Sequence, residues 1–67
     1  MVKLILNSYL DQIGITRYQL SKATGIGYPI IDKYYKNAVT RYDSFILDRI
    51  CTALHCDISN IISFTEA

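Results

Sequence analysis

Apolar residues recur along the chain with helical spacing, interrupted by glycine or by short polar stretches. Leu6, Tyr9, Leu10 and Ile13 fall on one face of a first helix, and Gly14 then supplies a residue able to take the left-handed conformation that ends it. Where this helix begins is open on the residues alone. Val2, Leu4 and Leu6 alternate as in a short strand, and Asn7 is placed to cap a helix that starts later. Thr16 followed three residues on by Gln19 has the form of a capping box, so a second helix is expected over about Arg17 to Thr24. Leu20 and Ala23 should face inward, Ser21 is small enough for another helix to pack close, and Gly25 stops the helix.

A third helix should follow Gly25-Ile26-Gly27, because Pro29 suits a first helical turn, where its missing amide hydrogen has no intrahelical partner to lose. Ile31 and Tyr34 continue the inward spacing together with Ile30. Tyr28, Asp32, Lys33 and Lys36 fall elsewhere on the cylinder and make an outward polar and aromatic surface. Asn37 to Tyr42 reads as a loop. Asp43 is a plausible N-cap for a fourth helix with Leu47, Ile50, Cys51 and Leu54 on one stripe, ended near His55. Asp57 can cap a short fifth helix with a stripe of Ile58, Ile61 and Ile62, extended by Phe64. The expected fold is therefore an all-α, compact five-helix domain spanning residues 1–67, with a short extended segment at its N-terminus as the alternative reading of residues 2–6.

Composition agrees with one small folded unit. Of 67 residues 51% are hydrophobic and 19% charged, which suits a packed core rather than a disordered segment. A chain of this size buries only about 60% of its unfolded surface, so little is left over for an elaborate catalytic site. The formal net charge is only +1, but the charges are unevenly placed. Between Ile15 and Tyr42 stand Arg17, Lys22, Lys33, Lys36 and Arg41 against Asp32 alone, a local balance of +4. Lys3 and Arg49 stand against Asp11, Asp43, Asp48, Asp57 and Glu66 elsewhere, a balance of −3. A basic face and an acidic back follow.

Other chemistry is sparse. His55 is the one histidine and has no obvious nucleophile or paired carboxylate, so no enzymatic activity is expected. Cys51, Cys56 and His55 supply at most three soft ligands on adjacent segments, short of the four that structural zinc takes, and no cofactor, metal or small-molecule ligand is expected. No apolar run approaches a bilayer span and the N-terminal segment turns polar too soon for a signal peptide, which points to a cytoplasmic, membrane-free protein.

The order and spacing of these elements resemble the phage-repressor-like helix-turn-helix family of the Xre, or Cro/CI, type. The resemblance covers about Leu6 to Ile62. It is densest over residues 16–27, with the capped Thr16 start, inward Leu20, small Ser21 and the Gly25-Ile26 turn. Inward Ile31 and Tyr34 follow, and residues 47–54 and 57–62 match the family's fourth and fifth helices. Three positions depart from the family's habit. Arg17 replaces a glutamine that bonds a phosphate, a role a guanidinium can keep; Gly27 replaces a serine or threonine; Pro29 stands where many members place a polar base-contacting side chain.

The resemblance implies sequence-specific binding of double-stranded DNA and a repressor-like transcriptional regulator, with the third helix in the major groove. By position, Tyr28, Pro29, Asp32 and Lys33 would face base edges, while Arg17, Lys36, Asn37, Thr40 and Arg41 would bond phosphates. Asp32 has the competing assignment of an ion pair with Lys36 four residues on. A module this small offers only about 600–1,000 Å² to DNA, so a homodimer is expected. Its contact would be formed by Ile58, Ile61, Ile62 and Phe64, or by pairing of the Val2-Ile5 segment. The alternative is a protein-interaction module of a mobile-element or phage regulator built on the same fold.

Overall fold

A computed structural model describes residues 1–66. The elements run in the order β1 (Val2–Leu4), α1 (Leu6–Ile13), α2 (Arg17–Thr24), α3 (Tyr28–Tyr35), α4 (Ser44–Leu54), a 3-10 turn (Ile58–Asn60) and β2 (Ile62–Phe64). Leu4, Leu6, Leu10, Leu20, Ile31, Tyr34, Ile50 and Ile61 form a single core to which every helix contributes. No helix is long and apolar enough to cross a membrane among the described residues.

The helix ends obey local chemistry. Thr16 and Gln19 form the expected reciprocal capping box at the start of α2, and Asp43 accepts from the Phe45 amide at the start of α4. Gly14 and Gly25 close α1 and α2 at φ of 73° and 74°, a region glycine enters without a Cβ clash. Two non-glycine residues do the same for α3 and α4. Asn37 (φ 56°) and His55 (φ 52°) each follow a helix whose final carbonyls are taken up two ways. Ala38 donates to Lys33 and Asn37 to Tyr34, and likewise Cys56 donates to Cys51 and His55 to Thr52.

The structure corrects the expected all-α, five-helix architecture. Among the described residues there are four α-helices, and the segment expected to be a fifth becomes one 3-10 turn followed by a strand. Asp57 and Asn60 bond each other's backbone amides across that single turn. Beyond it Ile61-Ile62-Ser63-Phe64-Thr65 is β-branched and aromatic, and it pairs antiparallel with β1 in the register Val2↔Phe64, Lys3↔Ser63, Leu4↔Ile62. The extended reading of the N-terminus was therefore the right one for Val2–Leu4. Its partner lies in the same chain. The first helix starts at Leu6, with Ile5 rather than Asn7 at its cap.

Three inward assignments also change. Ala23 is exposed and Thr24 is buried in its place, because Thr24 lies one turn beyond Leu20 on the same stripe. Ile13 and Ile30 are substantially exposed, at 40% and 44%.

Candidate nucleic-acid interface

The turn between α2 and α3 is stitched by two side chains. Ser21 Oγ donates to the Ile26 carbonyl at 2.6 Å. Thr24 Oγ1 donates to the Leu20 carbonyl at 2.8 Å and accepts from the Ile26 amide at 3.2 Å. Buried Thr24 thus has its hydroxyl fully employed, which is the condition for a polar group to lie in a core. Arg49 of α4 donates through its guanidinium to the Thr24 carbonyl, bringing a cation to the negative end of α2. Ser21, Thr24 and Arg49 were not singled out in these roles from sequence. A serine and a threonine flanking a helix end were the available signal, whereas Arg49 comes from 25 residues downstream.

With the turn fixed, α3 buries Ile31 and Tyr34, half-buries Asp32 and Tyr35, and exposes the remainder. Tyr34 also spends its hydroxyl, which accepts from the Asp43 amide at 3.1 Å and ties the end of α3 to the start of α4. Tyr28, Pro29, Lys33 and Lys36 are exposed. Eight residues of α-helix rise about 12 Å, comparable to the roughly 12 Å width of a B-DNA major groove. At its N-terminus Gly27 makes no side-chain cap and Pro29 lies in the first turn.

Arg17 of α2 lies along the stripe formed by Tyr28, Asp32 and Tyr35 of α3. Its guanidinium carbon is 4.6 Å from the Tyr35 ring centroid and 5.9 Å from that of Tyr28. Its Nη1 meets Asp32 Oδ1 at 2.5 Å. The other carboxylate oxygen, Oδ2, receives Lys36 Nζ at 3.0 Å. Donation from Lys36, with Arg17 adding to it, holds the Asp32 carboxyl below its ordinary range, and the bond to Asp32 pushes the Arg17 guanidinium up.

The sequence-nominated residues therefore divide. Tyr28, Pro29, Lys33 and Lys36 share the open side of α3. Arg17 sits beside that surface but is engaged with Asp32, and Asp32 is engaged on both oxygens by cations. Asn37, nominated for phosphate, turns its Oδ1 to the Leu4 amide at 2.9 Å, so its carbonyl is used to fasten β1, and only its amino end remains for a phosphate. Thr40 and Arg41 are exposed in the loop after α3.

Two helices set by a glycine turn, the second short and solvent-facing with basic residues along and beside it, define a helix-turn-helix of the DNA-binding class. The chain belongs to the Cro/C1-type HTH DNA-binding domain family, whose model matches residues 6–67. No curated protein matches the chain, and no solved structure does. Family membership supports double-stranded DNA as the partner.

Proposed function

We propose that the protein is a sequence-specific, repressor-like transcriptional regulator that lays α3 in the major groove of double-stranded DNA. The carrying observation is the open side of α3, where Tyr28, Pro29 and Lys33 stand clear of the core while Ile31 and Tyr34 anchor the opposite side. Lys33 can donate to guanine acceptors, Pro29 can meet a thymine methyl, and Tyr28 offers both a ring and a hydroxyl. Arg17, Lys36, Thr40, Arg41 and the amino end of Asn37 are the phosphate-directed groups, fixing register and supplying most of the sequence-independent affinity.

A homodimer completes this reading, since a single module gives a small footprint. Ile61 is wholly buried and so is withdrawn from the candidate contact. Ile62 is half-buried against the core, and Ile58 and Phe64, at 46% and 70% exposure, together with Val2 at 49%, are the more exposed apolar residues left to form it.

The experiment is titration against duplex DNA at low and moderate salt. Counterion release predicts that log K falls with log salt by about 0.9 for each phosphate neutralised. The Arg17→Ala, Lys33→Ala double variant should lose binding while keeping its helical circular dichroism. Retention of affinity in that variant overturns the reading. A second reading, a protein-docking module, is favoured by Tyr28 and Ile30 standing 40% and 44% exposed at the N-terminal end of α3. Salt-indifferent binding to a protein, with no duplex binding, would select it.

A further inference from the structure

We propose that Asp32 is a specificity-determining residue that restrains sequence-independent DNA binding by holding Arg17 and Lys36 in an ion triad on the DNA-facing side of the domain. The proposal rests on the DNA reading above and deepens it. Its basis is placement. Asp32 is the one carboxylate between Ile15 and Tyr42, and it stands among the cations that would meet phosphates. Each of its oxygens is occupied by a different cation, one from α2 and one from Lys36, which caps the C-terminal end of α3.

The consequence for a polyanion is direct. Arg17 and Lys36 can bond phosphates fully only by sharing or leaving Asp32, and the carboxylate itself repels the same phosphates. Both effects lower affinity for any duplex, whatever its sequence. Phosphate contacts position without specifying, so a group that weakens them raises the relative weight of base contacts made by Lys33 and its neighbours. The Arg17 guanidinium also lies over the Tyr35 ring, 4.6 Å from its centroid, with that of Tyr28 at 5.9 Å, so it has a defined resting place beside α3.

The test compares the wild type with Asp32→Asn on a random-sequence duplex across a salt series, with two controls. Asp32→Glu retains the charge. Asp48→Asn removes one negative charge from α4, outside the triad, and matches the change in net charge. Asp32→Asn should bind the random duplex about three- to tenfold more tightly, with a salt slope steeper by about one to two, as one or two more cations reach phosphates. Asp32→Glu should stay near the wild type and Asp48→Asn should gain little. Thermal unfolding confirms that each variant is folded.

Equal or weaker binding by Asp32→Asn overturns the proposal, as does an equal gain in Asp48→Asn, which would assign the effect to net charge. Failure of the wild type to bind any duplex at low salt would count against the DNA reading separately. Binding gained by Asp32→Asn in that situation would still support the restraint, and no binding by either protein would overturn both.

Discussion

Arg49 of α4 closes the C-terminal end of α2 by donating through Nε, at 3.1 Å, and Nη2 to the Thr24 carbonyl. This bond joins the fourth helix to the turn that orients α3. A charge-assisted pair to a helix-end carbonyl contributes about 1 kcal/mol or somewhat more where it is partly exposed, as here. Arg49→Met keeps most of the apolar stem and removes the donors. Its melting temperature should fall by about 4–8 °C, read by circular dichroism. An unchanged melting temperature would show the contact to be idle.

The acid limb of stability should report on Asp32. Its folded carboxyl lies below the ordinary 3.8, mainly through donation from Lys36. A depressed carboxyl contributes stability that is complete above the unfolded value and is lost as pH falls through the folded one. Wild type should therefore melt above Asp32→Asn near neutral pH, and the gap should close as pH drops below about 4. A gap that stays constant into strong acid would mean that the carboxylate's charge is not what stabilises.

Legibility from sequence tracks how local the cause is. Thr16 with Gln19, Gly25, Pro29 and Asp43 each act within a turn of their own position, and all the helix boundaries they imply are found. The fifth element failed for a definite reason. Ile58, Ile61, Ile62 and Phe64 satisfy a helical period and a strand period about equally over so short a run, and the choice was made by β1, almost the whole chain away. Ala23 and Thr24 were exchanged because a threonine reads as polar until its hydroxyl is seen bonded to the Leu20 carbonyl. On α3, Tyr28, Lys33 and Lys36 are exposed as their positions implied, whereas Asp32 is half-buried and ion-paired and Ile30, read as inward, is exposed. The bond from Arg17 to Asp32 spans two helices and depends on how α2 meets α3, which no residue spacing encodes.

Asn37 offers a test of a long-range fastening. It combines a left-handed backbone, which asparagine tolerates better than most residues, with an acceptor for the Leu4 amide. Asn37→Ala leaves that part-buried amide unpaired and strains the backbone, and should cost about 2 kcal/mol in urea unfolding. Asn37→Asp keeps an acceptor in the same place and should cost about 1 kcal/mol or less. Equal losses in the two variants would remove the hydrogen bond from the account and leave only the backbone.

The Cys51 thiol should react slowly in the folded protein. Both cysteines are free and half-buried. Burial first, then the neighbouring Cys56, pushes the Cys51 thiol from its ordinary 9.0 up to about 11. Only the thiolate is alkylated, so near pH 8 the folded protein should lose Cys51 to iodoacetamide about 100-fold more slowly than the urea-unfolded chain does. In Cys56→Ser the contribution of the second sulfur is gone while burial by α4 and its surroundings persists. Cys51 in that variant should therefore still react more slowly than when unfolded. A folded rate equal to the unfolded one would show that Cys51 is open to solvent, and that the contact between the two sulfurs, rather than burial, suppresses it in the native sequence.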